Sequence, residues 1–360
     1  MASDSQRAVG SGKPMTNSDT EDLKSLALSV VRTQTNVFIK ELLRDHNVRL
    51  GATKEDFDRN LVAAIDEGTL TRDHIETWLN AVEGWGQQHV YAYRLSPELG
   101  GSFDTADKAK KAVQGQLAKY WQRSTTAIDS AWSEDEDLHL VSITYDDSLR
   151  FHWHKGTQYW IRTKDEEKYD KPKEWIDGFE YQFRAYRGRS LREVMRFEIR
   201  PQDAMAALFI PKPIGSKDHQ AAYDNAKATV GSILDFAALE RDHLLVGKII
   251  RNFDQALTFG KAGAVASSQS TRLRSGGAYV EFGALMDDGG FLDSGGVGTL
   301  RKTIRTPQDI AAFDGTTGKF RFGDLGRVEL TADDNRIRLW SSLTADRVWG
   351  ILRTLKGFES

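Results

Sequence analysis

Leu138-His139-Leu140-Val141-Ser142-Ile143-Thr144-Tyr145-Asp146-Asp147-Ser148-Leu149-Arg150-Phe151-His152-Trp153 is where the chain changes from a helix-forming to a sheet-forming sequence. Apolar residues alternate with polar ones from Leu138 to Tyr145 and from Leu149 to Trp153, the two-residue period of a strand with one buried face. Asp146-Asp147 supplies the turn between them, and Lys155-Gly156 a second turn before a third run, Tyr159 to Thr163. A sheet therefore begins after the acidic loop Ser133 to Asp137. Helical periodicity lies before it and returns after it, so the expected fold class is α+β.

Downstream, Phe179-Glu180-Tyr181-Gln182-Phe183-Arg184-Ala185-Tyr186 alternates aromatic with polar residues, which predicts one buried face and one displayed face carrying Arg184. Arg187-Gly188-Arg189 reads as a turn. Arg192, Arg196 and Arg200 follow, so guanidinium groups are expected to gather at one end of the sheet, where their planar donor forks suit phosphate. Glu193 and Glu198 offer internal pairing as an equal alternative. His219 to about Phe259 is helical, with Gly231 as its weak point. Lys261 to Gly277, rich in Ala, Ser and Gly, reads as a mobile linker. Strands are expected at Ala278 to Phe282, Thr299 to Ile304, Lys319 to Phe322, Arg327 to Leu330 and Ile337 to Trp340. Asp333-Asp334-Asn335 forms the last hairpin turn, and a helix from Thr344 to about Leu355 covers one face.

Upstream, residues 1–20 lack apolar periodicity and read as a disordered lead-in. From Glu21 to Arg44, Leu23, Leu26, Leu28, Val31, Val37, Phe38, Leu42 and Leu43 fit one or two amphipathic helices. Asn47 to Ala52 breaks the pattern, and Thr53 with Asp56 makes a capping box for a helix burying Phe57, Leu61, Ala64 and Ile65. A third helix starts near Thr71 and carries Ile75, Trp78, Leu79 and Val82. Asp104 to Trp132 reads as one long helix whose Lys108, Lys110, Lys111, Lys119 and Arg123 give it a positive face. The expected organisation is a lead-in (1–20), a helical domain (21–132), an α+β domain (133–260), a linker (261–277) and a small β-rich domain with a C-terminal helix (278–360).

Composition narrows the function classes. At 360 residues with 39% hydrophobic content there is chain for real cores. Zero cysteines exclude disulfides, thiolate zinc sites and a cysteine nucleophile. No apolar run is long enough to span a bilayer and no signal-peptide core is present, so an intracellular protein with no membrane partner is expected. With a net charge of −3, any nucleic-acid binding must come from a local patch.

The helix, short extended link and Gly51-Ala52-Thr53-Lys54 turn into the next helix, residues 41–68, resembles the SAP family of helix–extension–helix DNA-binding modules. The spacing departs from that family by one residue at this turn. The resemblance implies phosphate contacts around the second helix's start, carried here by Arg49, Thr53, Lys54 and Arg59. The order of the helical region, Gln87 to Tyr93, the Phe103-Asp104 helix start, the lysine-rich helix and Gly156 to Tyr159 is similar to the centromere protein N family of kinetochore proteins. That similarity implies a helical and an α/β part gripping DNA through basic residues. The expected partner is double-stranded DNA, bound by Arg49, Thr53, Lys54, Arg59, Lys108, Lys111, Arg184, Arg187 and Arg189. A protein-interaction scaffold and a metal-dependent nuclease are the alternatives.

No catalytic centre or cofactor is expected. His152 and His154 share a strand face but lack further metal ligands in the sequence. Glu166-Glu167-Lys168 lies in a polar turn, the wrong platform for a nuclease metal. The Gly289-Gly290 and Gly295-Gly296-Val297-Gly298 groups have no following Gly-Lys-Ser/Thr, and there is no Gly-x-Ser-x-Gly elbow.

Overall fold

The computed structural model describes residues 17–33, 36–82, 84–122, 138–162, 164–212, 219–258, 267–275, 278–283, 314–323, 326–341 and 343–359. The class is α+β: a helical bundle, a large antiparallel sheet with helices on its faces, and a separate two-stranded hairpin.

The bundle comprises α1 (Asn17–Thr33), α2 (Asn36–Asp45), α3 (Lys54–Asp66) and α4 (Arg72–Val82). The first helix starts at Asn17, inside the stretch expected to be disordered; residues 1–16 lie outside the described set. Leu23, Ala27 and Val31 of α1 bury against Phe57, Leu61 and Ile65 of α3, with Ile39, Leu43 and Ile75 completing the core. Each helix contributes one apolar stripe at helical spacing to a shared core, and α1 also lies against the strand Arg187–Arg200 of the sheet.

The sheet has the strand order β2-β3-β6-β7-β1-β12-β11-β10-β8-β9. Its strands are β1 (Gln88–Arg94), β2 (His139–Tyr145), β3 (Leu149–Ile161), β6 (Arg187–Arg200), β7 (Met205–Pro211), β8 (Ser267–Ser275), β9 (Ala278–Gly283), β10 (Asp314–Arg321), β11 (Arg327–Thr331) and β12 (Arg336–Leu339). The expected boundaries at 132 and 260 fall between strands of this one sheet. β1 sits at its centre, paired on one side with β7 and on the other with β12. Val90 and Ala92 point into one core, while Tyr91 and Tyr93 point into the other, so both faces of this strand are covered.

One face carries α10 (Val246–Thr258) and the C-terminal helix Ala345–Gly357, which pack Ile250, Phe253, Trp349 and Leu352 onto Phe209, Leu273, Phe320, Leu330 and Ile337. The opposite face, over β2, β3, β6, β7 and β1, is covered by α5 (Pro97–Gly101), α6 (Ala106–Ala112), α8 (His219–Val230) and α9 (Phe236–Arg241) around Phe151, Phe197, Leu208 and Tyr93.

Several expectations are corrected. The long helix over Asp104 to Trp132 is instead the short α6 followed by a 3-10 turn at Gly115–Tyr120. The helix breaks at Val113, whose ψ of 80 leaves the helical region, and Gly115, at a left-handed φ of +62, opens the 3-10 turn. Residues 123–137 lie outside the described set. Lys155-Gly156 is not a turn: β3 runs straight through it, paired residue for residue with β6. Arg187-Gly188-Arg189 likewise opens β6. The supposed linker contains β8, an interior strand whose small residues hide its strand character. Leu273 enters the core, and the buried hydroxyls of Ser268 and Thr271 bond each other at 3.0 Å. The strand expected at Thr299 to Ile304 and the glycine groups at 289–298 lie outside the described residues.

Candidate functional site

The residues expected to contact DNA lie on separate elements, and most are engaged locally. Thr53 caps α3, with its hydroxyl accepting from Asp56 N at 3.2 Å, while Asp56 Oδ2 accepts from Ala52 N and Thr53 N at 3.1 and 3.2 Å. The capping box is thus formed as the sequence suggested, and it fills the helix start with the chain's own carboxylate. Those backbone hydrogen bonds hold the Asp56 carboxyl below its ordinary range. Lys54 Nζ donates to Val31 O at 2.7 Å, and Arg59 pairs with Asp56. Arg49 is exposed beside them, its carbonyl held by Asn60. On α6, Lys108 pairs with Asp104 at 2.8 Å, and Lys111 is exposed.

The Arg-rich segment departs further from expectation. The strand Phe179–Phe183 buries neither face. It belongs to an independent hairpin, β4 (Lys171–Ile176) with β5 (Phe179–Phe183), that pairs with no other strand among the described residues. Arg184 is exposed and bonds Gln182 at 3.2 Å, Arg187 pairs with Glu166 at 3.1 Å, and Arg189 opposes Tyr159 in the β3–β6 ladder. Arg196 and Arg200 are buried rather than displayed. Arg196 lies 3.3 Å over the Trp85 ring and donates to Gly84 O at 2.7 Å, and Arg200 pairs with Glu198 at 2.7 Å. Of the two readings left open for these arginines, internal pairing and stacking hold for this pair. His152 and His154 do lie two apart on β3, yet among the described residues no group of three or more His, Asp or Glu is placed to hold a metal.

The concentrated positive charge is elsewhere, on the sheet face opposite α10. Registers place it there. In β12, Ile337 and Leu339 enter the core, so Arg336 and Arg338 point the other way, followed by Trp340. In β11, Val328 and Leu330 are buried, turning Arg327 and Glu329 to the same side, with Arg338 opposite Glu329. In β10, Phe320 is buried between Lys319 and Arg321, which oppose Glu329 and Arg327. In β8, Leu273 is buried between Arg272 and Arg274, and Arg272 opposes Thr317. Lys212 follows β7 on this side. These eight cations face Glu281, Asp314 and Glu329 as the strand carboxylates of the same side.

Aromatic rings and carboxylates orient part of this set. Arg338 Cζ is 3.6 Å and Lys212 Nζ 6.0 Å from the Trp340 ring centroid, and Trp340 Nε1 donates to Glu329 at 3.1 Å. Arg272 lies 3.9 Å over Tyr279. Arg336 is held by Asp334 at 3.2 Å. Lys212, Arg274, Lys319, Arg321 and Arg327 are exposed. The imidazole of His89, opposite Arg338 on β1, registers the field: burial pushes it down to about 3, and Arg336, His219, Arg338 and Lys212 push in the same direction. Guanidiniums held by rings and carboxylates, with exposed cations beside them, can bind phosphate oxygens through charge-assisted hydrogen bonds.

Four sequence stretches carried this signal: Arg272-Leu273-Arg274, Lys319-Phe320-Arg321, Arg327-Val328-Glu329 and Arg336-Ile337-Arg338. Each puts charge on the polar phase of a strand period. No protein-family model matches the chain, and no curated protein matches it in sequence.

Proposed function

We propose that this protein binds double-stranded nucleic acid, without preference for sequence, through the basic face of β8, β10, β11 and β12. The observation that carries the reading is the shared strand phase that puts arginines and lysines of four neighbouring strands on one side, away from the helices. Strands about 4.8 Å apart, with successive same-side residues about 6.8 Å apart, make a two-dimensional patch rather than a single-file track. Single-strand binders rely on aromatic faces open to bases. Here one face each of Trp340 and Tyr279 is taken by a guanidinium, which favours phosphate contacts over base stacking.

Fluorescence anisotropy with labelled duplex DNA tests this, comparing wild type, Lys319→Gln/Arg321→Gln/Arg327→Gln and Lys54→Glu. If each of the three exposed cations meets one phosphate, the log–log salt slope falls by about 2.7 in the triple variant. Between 50 and 200 mM salt that is roughly 40-fold of lost salt sensitivity. Lys54→Glu retains the wild-type slope. Loss of binding in Lys54→Glu alone moves the interface to the SAP-like bundle. No wild-type affinity at low salt refutes nucleic-acid binding and leaves the protein-interaction reading.

A further inference from the structure

The hairpin β4–β5 exposes Trp175, Phe179, Tyr181 and Phe183, at 73%, 68%, 44% and 37%, on a two-stranded sheet with no covering element among the described residues. Its base is fixed: Arg162 grips Asp170 at 2.6 and 2.5 Å and donates to Ala185 O at 3.0 Å, while Ala185 N donates to Asp170 at 2.8 Å. The two edges differ. β4 carries Pro172 and a register shift between Lys171 and Glu174, both of which blunt an edge against pairing. β5 has neither.

The two-residue turn Asp177-Gly178, both at positive φ, closes on the pair Ile176 and Phe179. Backbone groups of Phe179, Tyr181 and Phe183 therefore face β4, and those of Glu180 and Gln182 point outward, open to another strand.

We infer that β5 pairs antiparallel with β5 of a second copy of this chain, about a two-fold axis at Tyr181. In that register Glu180 and Gln182 exchange backbone hydrogen bonds with the copy's Gln182 and Glu180, and Tyr181 meets its own equivalent. Phe179 meets the copy's Phe183, giving an aromatic ladder on one face. Charge complementarity selects this occupant. Arg184 lies opposite the copy's turn, which carries Asp177, and one diagonal step from its Glu180, which Lys173 of the same hairpin already pairs, so each end of the ladder brings a second cation to two carboxylates that hold one between them. A uniformly charged partner fits less well, because Lys171, Lys173 and Arg184 are interleaved with Glu174, Asp177 and Glu180. The arrangement is isologous, as a two-fold dimer requires, and joins two hairpins into a four-stranded sheet.

Sedimentation velocity of the full chain over a concentration series tests the dimer. Wild type is expected to shift to twice the monomer mass, and Tyr181→Lys, which sets two ammonium groups face to face on the axis, to remain monomeric with an unchanged far-UV spectrum. The chain has no cysteine, so single substitutions test the register. Tyr181→Cys places two thiols on Cα atoms about 4.5 Å apart, within disulfide reach. Phe183→Cys places them about 14 Å apart. Mild oxidation is expected to crosslink the first and not the second. A wild type monomeric at every concentration overturns the inference and assigns the edge to a strand of a different protein. Equal crosslinking of both cysteine variants overturns the register.

Discussion

Glu198→Gln tests how the sheet holds its C-terminal helix. The Glu198 carboxylate is completely buried. Its Oε1 accepts from Ser148 Oγ at 2.8 Å and Arg200 Nε at 2.7 Å and faces Arg150 Nε at 3.1 Å, while Oε2 accepts from Trp349 Nε1 at 3.2 Å. Glutamine keeps the shape, removes the charge and puts an amide donor where donors already converge. Removing one member of a buried ionic group costs about 3–5 kcal/mol, because the remaining charges stay desolvated. Arg150 retains Asp146 at 2.6 Å and Asp147 at 3.1 Å, which argues for about 3 kcal/mol, the lower end of that range. At about 2 °C per kcal/mol for larger chains, thermal unfolding followed by near-UV circular dichroism should drop by roughly 6 °C. The pH dependence has a fixed sign. Burial opposes ionisation of Glu198, yet Arg150 and Arg200 outweigh it and hold its carboxyl below its ordinary value. Its contribution is therefore present above the unfolded-state pKa and lost as pH falls through the folded one, so the Gln variant should show a flatter acid limb. A melting point within one degree of wild type at neutral pH refutes the idea that this network holds the helix.

Two further outcomes follow from the sheet. His89 is held neutral, with its pKa lowered to about 3, so wild type should lose stability as pH falls from about 6.5 toward that value, as the unfolded chain takes up the proton first. Urea midpoints at pH 7 and pH 5 should differ less in His89→Gln, and an equal difference in both proteins removes His89 from the account. Gly315→Ala should destabilise by about 1–3 kcal/mol, since a Cβ there would lie 2.5 Å from Ile250 Cβ and 2.6 Å from Gly247 O, where α10 seats on β10. An unchanged denaturation midpoint would show that α10 shifts freely over the sheet.

Local order was readable wherever one short-range cause dominated. The Thr53 capping box, the buried positions of α3 and the turn at Asp146-Asp147 depend on residues within four positions of each other, and all stand in the structure. The β3 strand through Lys155-Gly156 was not readable in that way. Its extended state comes from β6, some forty residues on, whose backbone pairs with every residue from Leu149 to Ile161. The same holds for β8, whose serines give little strand propensity beside a single β-branched residue, Thr271, and whose state is set by pairing with β10. The exposed hairpin departs for a different reason: aromatic alternation signals burial only if a partner surface exists, and β4–β5 has none within the described chain.

The candidate site shows where sequence reading stops. Each basic strand displays its alternation locally, and any one of Arg336-Ile337-Arg338 or Lys319-Phe320-Arg321 is an ordinary solvated strand face. What makes them a surface is adjacency. β12 reaches the sheet's centre by pairing with β1, where His89 meets Arg338 across nearly two hundred and fifty residues of chain. Within the patch β10, β11 and β12 pair with their chain neighbours, and the charges of the fourth strand add only once β8 pairs with β10, where Arg272 meets Thr317, a pairing that neither strand's own sequence signals. A pleated strand that slipped by one residue would turn Arg338, Arg327 and Arg321 into the core and Ile337, Val328 and Phe320 into water, so burial of the apolar phase fixes the display of the basic one. The hydrophobic core under α10 and the cationic face opposite it are consequently one structural fact: substitutions that loosen the core, Gly315→Ala among them, should weaken the proposed polyanion binding through lost register while leaving every cation in the sequence.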